Sequence, residues 1–159
     1  MKTREITLTE LFTKRHDRIP VVTFERSSGR VLGLNCTNRE AFNQTVSSGQ
    51  CHYYDEVNDT IYLKGEHSGE IEDIIDIRLD CCHARRHELH LMYTVQMAVG
   101  QCKFGLADCH FYRFVADRFV LDQDLVQNQE AFEEYWPRII TLLETEEDKK
   151  HLQRFKNSD

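Results

Sequence analysis

The chain has no run of 18 or more apolar residues, so no segment of it reads as a membrane-spanning helix. It is also short of positive charge. Its 20 Lys and Arg are outnumbered by 27 Asp and Glu, for a formal net charge of −7. That balance argues against a nucleic-acid partner or a basic membrane-binding patch. The opening residues, Met1 to Ile6, lack the apolar core of a signal peptide. A cytoplasmic location follows as the expectation, with the six cysteines reduced rather than paired in disulfides. Internal repeats and low-complexity segments are missing as well.

What is present is enough chain, 159 residues, for one domain with a sizeable core and an appendage. Cys102 and Cys109 bracket Lys-Phe-Gly-Leu-Ala-Asp, and Cys81 closes the alternating run that starts at Ile75. Thiolates gathered from separate segments suit zinc, which takes soft sulfur ligands tetrahedrally, and three rather than four leave a position for water. The other reading is that Cys81, Cys102 and Cys109 are buried core thiols. Eight histidines add to the case for metal chemistry.

Thr7-Leu-Thr-Glu10 reads as a capping box opening a short helix to about Lys14. Pro20–Phe24 and Arg30–Asn35 read as strands across a turn at Ser27–Gly29. Asn38 caps a helix from Arg39 to about Ser48, stopped by Gly49. Cys51–Tyr54 and Thr60–Leu63 form a hairpin across a polar turn, and Gly65–Gly69 is a loop. A long strand runs from Glu72 to Cys81, and a second β-rich stretch from about Leu89 to Arg113. From Asp122 the apolar residues follow helical spacing, with Pro137 expected to break or restart that helix. Phe132 and Trp136 are expected to pack this tail helix. Cys36 and Cys51 are read as core thiols, and His16, His52 and His151 as surface or structural residues.

Five segments in order then carry a resemblance. They are Gly29–Ala41, Ile61–Gly69, Ile77–Cys81, Gly100–Cys102 and Asp108–Arg113. Together they resemble phosphoribosyl-AMP cyclohydrolase, a histidine-pathway enzyme family that opens an adenine ring. The resemblance covers about 95 of the 159 residues. It implies an α+β, β-rich fold, with a mixed or antiparallel sheet, one central helix and an intertwined homodimer. It also implies that Cys81, Cys102 and Cys109 bind one zinc, with ligands drawn from two subunits. Zinc with an open position lowers the pKa of bound water, giving a nucleophile for a ring carbon of a nucleotide-like small-molecule substrate. Because N1 of that adenine carries a sugar, collapse after attack at C6 opens the ring. The signature of zinc deaminases, which act on a related ring carbon, is absent.

The departures from the family pattern point to a derived member. The family's Asp-Cys-Asp-x-Asp, which holds magnesium, is here Asp80-Cys-Cys-His-Ala84. The histidine after the second zinc cysteine is Lys103, a catalytic candidate if its pKa is pulled down. The family's Tyr-x-Ser-Arg-Ser-Arg is matched by Tyr54-Asp-Glu-Val-Asn58, where acids replace phosphate-binding cations. A longer segment between Cys81 and Cys102 brings His83, His87 and His90, which on a helix lie within about 60° of one face. With Asp80 they are candidates for a second divalent metal. The same segment also reads as a polar loop, and strand alternation from Leu89 would take His90 off such a face. Arg85 and Arg86 are candidate substitutes for the lost arginines. Lys64, Gly65, Glu66, Ser68 and Gly69 are candidate substrate-binding residues, the glycines leaving backbone N–H groups free to wrap a phosphate. The same loop also reads as a hairpin exit that needs glycine for positive φ.

Residues 1–121 are therefore expected to form a cyclohydrolase-like domain and residues 122–159 a helical C-terminal extension acting as a cap or oligomer contact. Two functions stay open. One is a zinc hydrolase of shifted substrate. The other is a catalytically inactive relative that keeps zinc structurally and serves as a binding or regulatory protein.

Overall fold

A computed structural model describes residues 5–14, 17–80, 89–97, 105–107 and 110–144. They fall into two compact units, the first built from residues 1–100 and 108–110, the second from 101–107 and 111–159. The architecture is α+β and rich in strand, as expected.

In the first unit, α1 (Leu8–Leu11) opens on the capping box read from the sequence. The Thr7 side chain accepts from Glu10 N while the Glu10 carboxylate accepts from Thr7 N. The helix stops at Leu11 rather than near Lys14, because Phe12 takes an extended conformation and packs its ring 5.5 Å from that of Phe42. β1 (Arg18–Glu25) and β2 (Val31–Asn38) form an antiparallel pair. Asn38 ends β2 and caps α2 (Arg39–Ser48) by accepting from Ala41 N, and Gly49 closes the helix at φ 74°. β3 (His52–Asp55) and β4 (Thr60–Leu63) make the expected hairpin. β5 (Glu72–Leu79) and β6 (Leu91–Met97) complete a four-stranded sheet of order β2-β1-β6-β5. The β1–β6 pair is parallel and the other two are antiparallel, so the sheet is mixed.

The core lies between this sheet, α2 and the β3–β4 hairpin. Ile19, Val21, Phe42, Cys51, Tyr53, Leu91, Tyr93 and Val95 form its buried centre. β6 alternates Leu91, Tyr93 and Val95 inward, as a strand with one buried face should. β5 departs from its sequence pattern. Ile75, Ile77 and Leu79 alternate in sequence, yet Ile74, Ile77 and Leu79 pack on the core while Ile75 is 41% exposed. A bulge between Ile74 and Asp76 inserts one residue and switches the face. The strand also ends at Leu79, although Asp80 N still donates to His90 O at 3.0 Å. Of the β-rich stretch expected from Leu89 to Arg113, the described residues form strand at Leu91–Met97 and again from Tyr112.

The second unit contains a hairpin of β7 (Tyr112–Val115) and β8 (Arg118–Leu121), a 3-10 turn (Gln123–Leu125) and α3 (Gln129–Glu144). Pro137 was expected to break or restart α3, but the helix runs through it. Proline removes one intrahelical hydrogen bond, while its fixed φ suits the helix. Aromatic packing steadies the turn before it. Phe132 and Trp136 stack 5.2 Å apart, and Trp136 meets Phe111 edge-on at 6.3 Å. Among the described residues no helix is long and apolar enough to cross a membrane.

Candidate functional site

The loop that leaves β4 is set by its backbone. Lys64 N donates to Cys51 O, tying the loop's entry to the core, and Cys51 N donates to Glu72 O, tying it to β5. Gly69 N donates to Gly65 O at 2.8 Å, closing a tight turn. Gly65 stands at φ 83°, and a Cβ there would lie 2.2 Å from the carbonyl carbon of Glu70. Only glycine fits. Gly69 also has positive φ, 79°, but faces open space. Ser68 Oγ donates to Glu70 Oε2 at 2.9 Å, fixing the loop's exit. Glu66, His67 and Ser68 are left exposed at the tip and Lys64 is half-buried at its base. The structure thus brings Lys64, Gly65, Glu66, Ser68 and Gly69 together in one turn, with the positive-φ glycines the sequence required.

Beneath the loop is a polar cluster that the sequence did not reveal. Tyr53 OH donates to Glu72 Oε2 at 2.7 Å and is also 2.7 Å from Thr23 Oγ1. Tyr53 and Thr23 are fully buried and Glu72 nearly so, at 2% exposure. Burial pushes the Glu72 carboxyl above the usual range, opposed by the Tyr53 hydrogen bond and then by the charge of Lys64. Burial, then the charge of Glu72, raises the Cys51 thiol well above its ordinary value. Burial, then the charge of Glu56, pushes Cys36 up to about 11. Neither cysteine is thereby favoured as a thiolate ligand. Cys51 is a core thiol, as read, and Cys36 is half-buried in β2. His52 is structural, its Nδ1 2.9 Å from Gln50 O. The one signal for Glu72 in the sequence is its even spacing from Ile74.

At the far end of β5, Asp80 and His90 face each other, with His90 Nδ1 3.5 Å from Asp80 Oδ2. His90 enters β6 in extended backbone, opposite Asp80, and is on no helix face. Two of the four residues suggested for a second metal are therefore adjacent. Cys81, His83, Arg85, Arg86, His87, Cys102, Lys103 and Cys109 lie outside the described residues. Their described neighbours Asp80 and His110 are informative. His110 Nδ1 lies 3.2 Å from Val31 O, at the start of edge strand β2. Asp80 directly follows the opposite edge strand, β5. Val31 is level with Phe24, whereas Asp80 is about four residues away along the sheet, level with Pro20. Three strand spacings and four residues of rise separate these corners by on the order of 20 Å. Among the described residues of one chain, no group of three or more His, Cys, Asp or Glu is placed to hold a metal.

The turn between β3 and β4 carries a different charge from the one the resemblance predicts. Glu56 meets Arg18 at 3.8 Å, and the Arg18 guanidinium lies 5.2 Å over the Tyr54 ring. Asp55 caps the turn, accepting from Val57 N and Asn58 N. Tyr54 OH donates to Asp59, which stands at φ 53°.

Comparison with known proteins places the chain in a family. The family profile described as phosphoribosyl-AMP cyclohydrolase matches residues 34–111. The phosphoribosyl-AMP cyclohydrolase of Methylobacillus flagellatus is 30% identical over 112 residues, covering 70% of this chain and 83% of that protein. The enzyme of the same name from Aromatoleum aromaticum is 34% identical over 99 residues, 62% of this chain and 71% of its own. That of Archaeoglobus fulgidus is 33% identical over 100 residues, 62% and 87% respectively. The matched span holds α2, the β3–β4 hairpin, the glycine loop and the three candidate zinc cysteines. On these grounds the chain belongs to the phosphoribosyl-AMP cyclohydrolase family, a family of hydrolases that act on a cyclic amidine C–N bond.

Proposed function

We propose that this protein is a zinc-dependent cyclohydrolase-like hydrolase. It attacks a ring carbon of a purine-type nucleotide resembling phosphoribosyl-AMP, or of a related heterocycle, and its substrate has shifted from the family's. The observation that carries this reading is the Lys64–Gly69 loop. Its strained turn is kept in a geometry only glycine permits at position 65. The acidic β3–β4 turn, where the family pattern has arginines, supports the shift in substrate.

The donor set fits zinc. Cys81, Cys102 and Cys109 supply three soft ligands, and the two described cysteines outside the set are held as thiols by burial. When bound there, zinc supplies the Lewis acidity that activates water at neutral pH. The chain's own residues do the rest. Lys64 and the backbone N–H groups of the loop grip an anionic group of the substrate. Lys103, beside Cys102, passes the proton of the attacking water to the departing N1 as the N1–C6 bond breaks. Asp80 orients His90 at the mouth of the β5–β6 pair.

The separation of Asp80 and His110 across the sheet supports a site completed by a second copy of the chain, and hence a homodimer. Zinc binding then contributes to association as well as to folding. Purified protein should carry about one zinc per chain, and chelation should lower both the sedimenting mass and the melting temperature. Cys81→Ser and Cys109→Ser copies, each inactive alone, should regain activity on mixing. No recovery on mixing, together with a metal-free dimer as tight as the zinc-loaded one, would argue for a site built within one chain. Full zinc loading without turnover of any purine-type nucleotide would favour a catalytically inactive relative.

A further inference from the structure

Residues 122–128 sit astride the segment that carries two of the candidate zinc ligands. Ahead of Cys109, three main-chain hydrogen bonds join them to residues 105–107. Ala107 N donates to Leu125 O at 2.8 Å, and Gln127 N and Asn128 N both donate to Gly105 O, at 2.8 and 3.0 Å. An antiparallel bridge pairs Leu106 with Val126. Beyond Cys109, Asp122 N donates to Phe111 O at 2.8 Å. Ala107 and Phe111 stand two residues on either side of Cys109, and both are tied to this one short turn. Cys102 stands three residues before Gly105, so its Cα lies within about 11 Å of that glycine's.

The contact is close and specific. Leu106 is 1% exposed. Gly105 stands at φ 74° with its backbone against Asn128, where a Cβ would lie 2.2 Å from Asn128 O. Glycine alone permits that approach. The turn is also fixed from within. Asp122 accepts at its side chain from Asp124 N, Leu125 N donates to Asp122 O, and Val126 N donates to Gln123 O. Asn128 then caps α3 by accepting from Ala131 N at 3.1 Å. The family profile ends at residue 111, so residues 105–107 lie inside the matched span and residues 122–128 beyond it.

Two thiolates on one tetrahedral zinc stand about 3.8 Å apart, given Zn–S bonds of about 2.3 Å. Closing the eight residues from Cys102 to Cys109 to that distance costs chain entropy. A segment whose middle and far side are already held has less freedom left to lose when metal binds.

We propose that residues 122–128 are a positioning clamp for this segment. They fix Gly105–Ala107 and Phe111 so that the thiolates of Cys102 and Cys109 meet one ion, and the C-terminal unit thereby sets metal affinity. The clamp presupposes the zinc site proposed above and gives the C-terminal unit a role at it.

The test is zinc affinity of the full chain by competition with a chromophoric chelator. It is paired with the absorption spectrum of the cobalt-substituted protein, whose thiolate-to-metal charge-transfer intensity reports the bound sulfurs. Gln127 is exposed, and Val126 before it is already extended at φ −79° and ψ 105°, as a residue preceding proline should be. Gln127→Pro therefore removes one clamp donor and leaves the turn able to stand. It should lose about tenfold or more in zinc affinity, with part of the charge-transfer intensity. Gln127→Ala keeps the N–H and should match wild type. Gly105→Ala, which drives a methyl group into Asn128, should lose at least as much as the proline variant. Gly49→Ala controls for backbone strain alone, at the same φ of 74° but with nothing within 4 Å of the added carbon. It should keep the wild-type affinity and spectrum. Wild-type affinity and spectrum in both Gln127→Pro and Gly105→Ala would overturn the clamp and leave the zinc site standing. So would an equal loss in Gly49→Ala or Gln127→Ala, which would trace the effect to general destabilisation or to the side chain. Wild-type protein that takes up no zinc would overturn the zinc site and the clamp with it. If Gly105→Ala fails to fold, the proline and alanine pair at position 127 decides alone.

Discussion

The two connections at the ends of β4 are opposites. The loop after it, Lys64–Gly69, is held by backbone geometry: a glycine where a methyl group would collide with Glu70, a main-chain bond from Lys64 into Cys51, and one closing the turn from Gly69 to Gly65. The turn before it, Asp55–Asp59, is held by side chains: Asp55 capping its own turn, Asp59 on Tyr54, and Glu56 on Arg18. A backbone-defined loop keeps its shape only with particular residues. A side-chain-defined turn can exchange its charges and keep the hairpin. This explains how family membership and an altered charge pattern coexist in adjacent segments.

The largest expected effect tests the rigid side of that contrast. Gly65→Ala meets backbone at 2.2 Å and must also hold φ 83°. It should cost on the order of 2–4 kcal/mol by denaturant melts. Gly69→Ala, at φ 79° with open space around it, should cost only about 1 kcal/mol. Equal losses would mean that the steric lock at Gly65 is not what shapes the loop.

The cluster below the loop gives an effect of middle size. The Glu72 carboxyl is raised above 4.5 by burial in the fold. A folded state that binds its proton more tightly than the unfolded chain loses stability as pH rises from the unfolded value through the folded one. Glu72→Gln keeps an acceptor for Tyr53 and removes that penalty. It should melt higher than wild type at pH 7 to 8, by on the order of 2–5 °C. The gap should close as pH falls toward 4. A gap that is constant with pH would show that Glu72 is not titrating under the loop.

The smallest effect belongs to the adaptable turn. Glu56→Ala breaks a half-exposed ion pair with Arg18, and the melt should change by less than about 1 kcal/mol. A loss comparable to that of Gly65→Ala would erase the distinction between the two connections.

Much of this was legible because it is local. The Thr7–Glu10 capping box, the Asn38 and Gly49 caps of α2, the hairpin and the glycines of the loop are written within a few residues. What was missed depends on partners far away in sequence. The β5 bulge is set by register against β6, and it turned Ile75 outward against the sequence alternation. The Thr23–Tyr53–Glu72 cluster joins three strands. Pro137 misled because the aromatic contacts that steady α3 come from Phe111 and Tyr112, outside the helix.

Ring opening by zinc-loaded protein is the activity proposed for this member of the family. Its most direct test is an ultraviolet-monitored turnover assay with N1-substituted adenine nucleotides. Ring opening is expected from protein carrying about one zinc per chain, with loss on chelation or in Cys102→Ser and return when zinc is restored to the wild type. Ring opening that persists undiminished in zinc-free protein, or zinc-loaded protein that leaves every such ring intact, would contradict it.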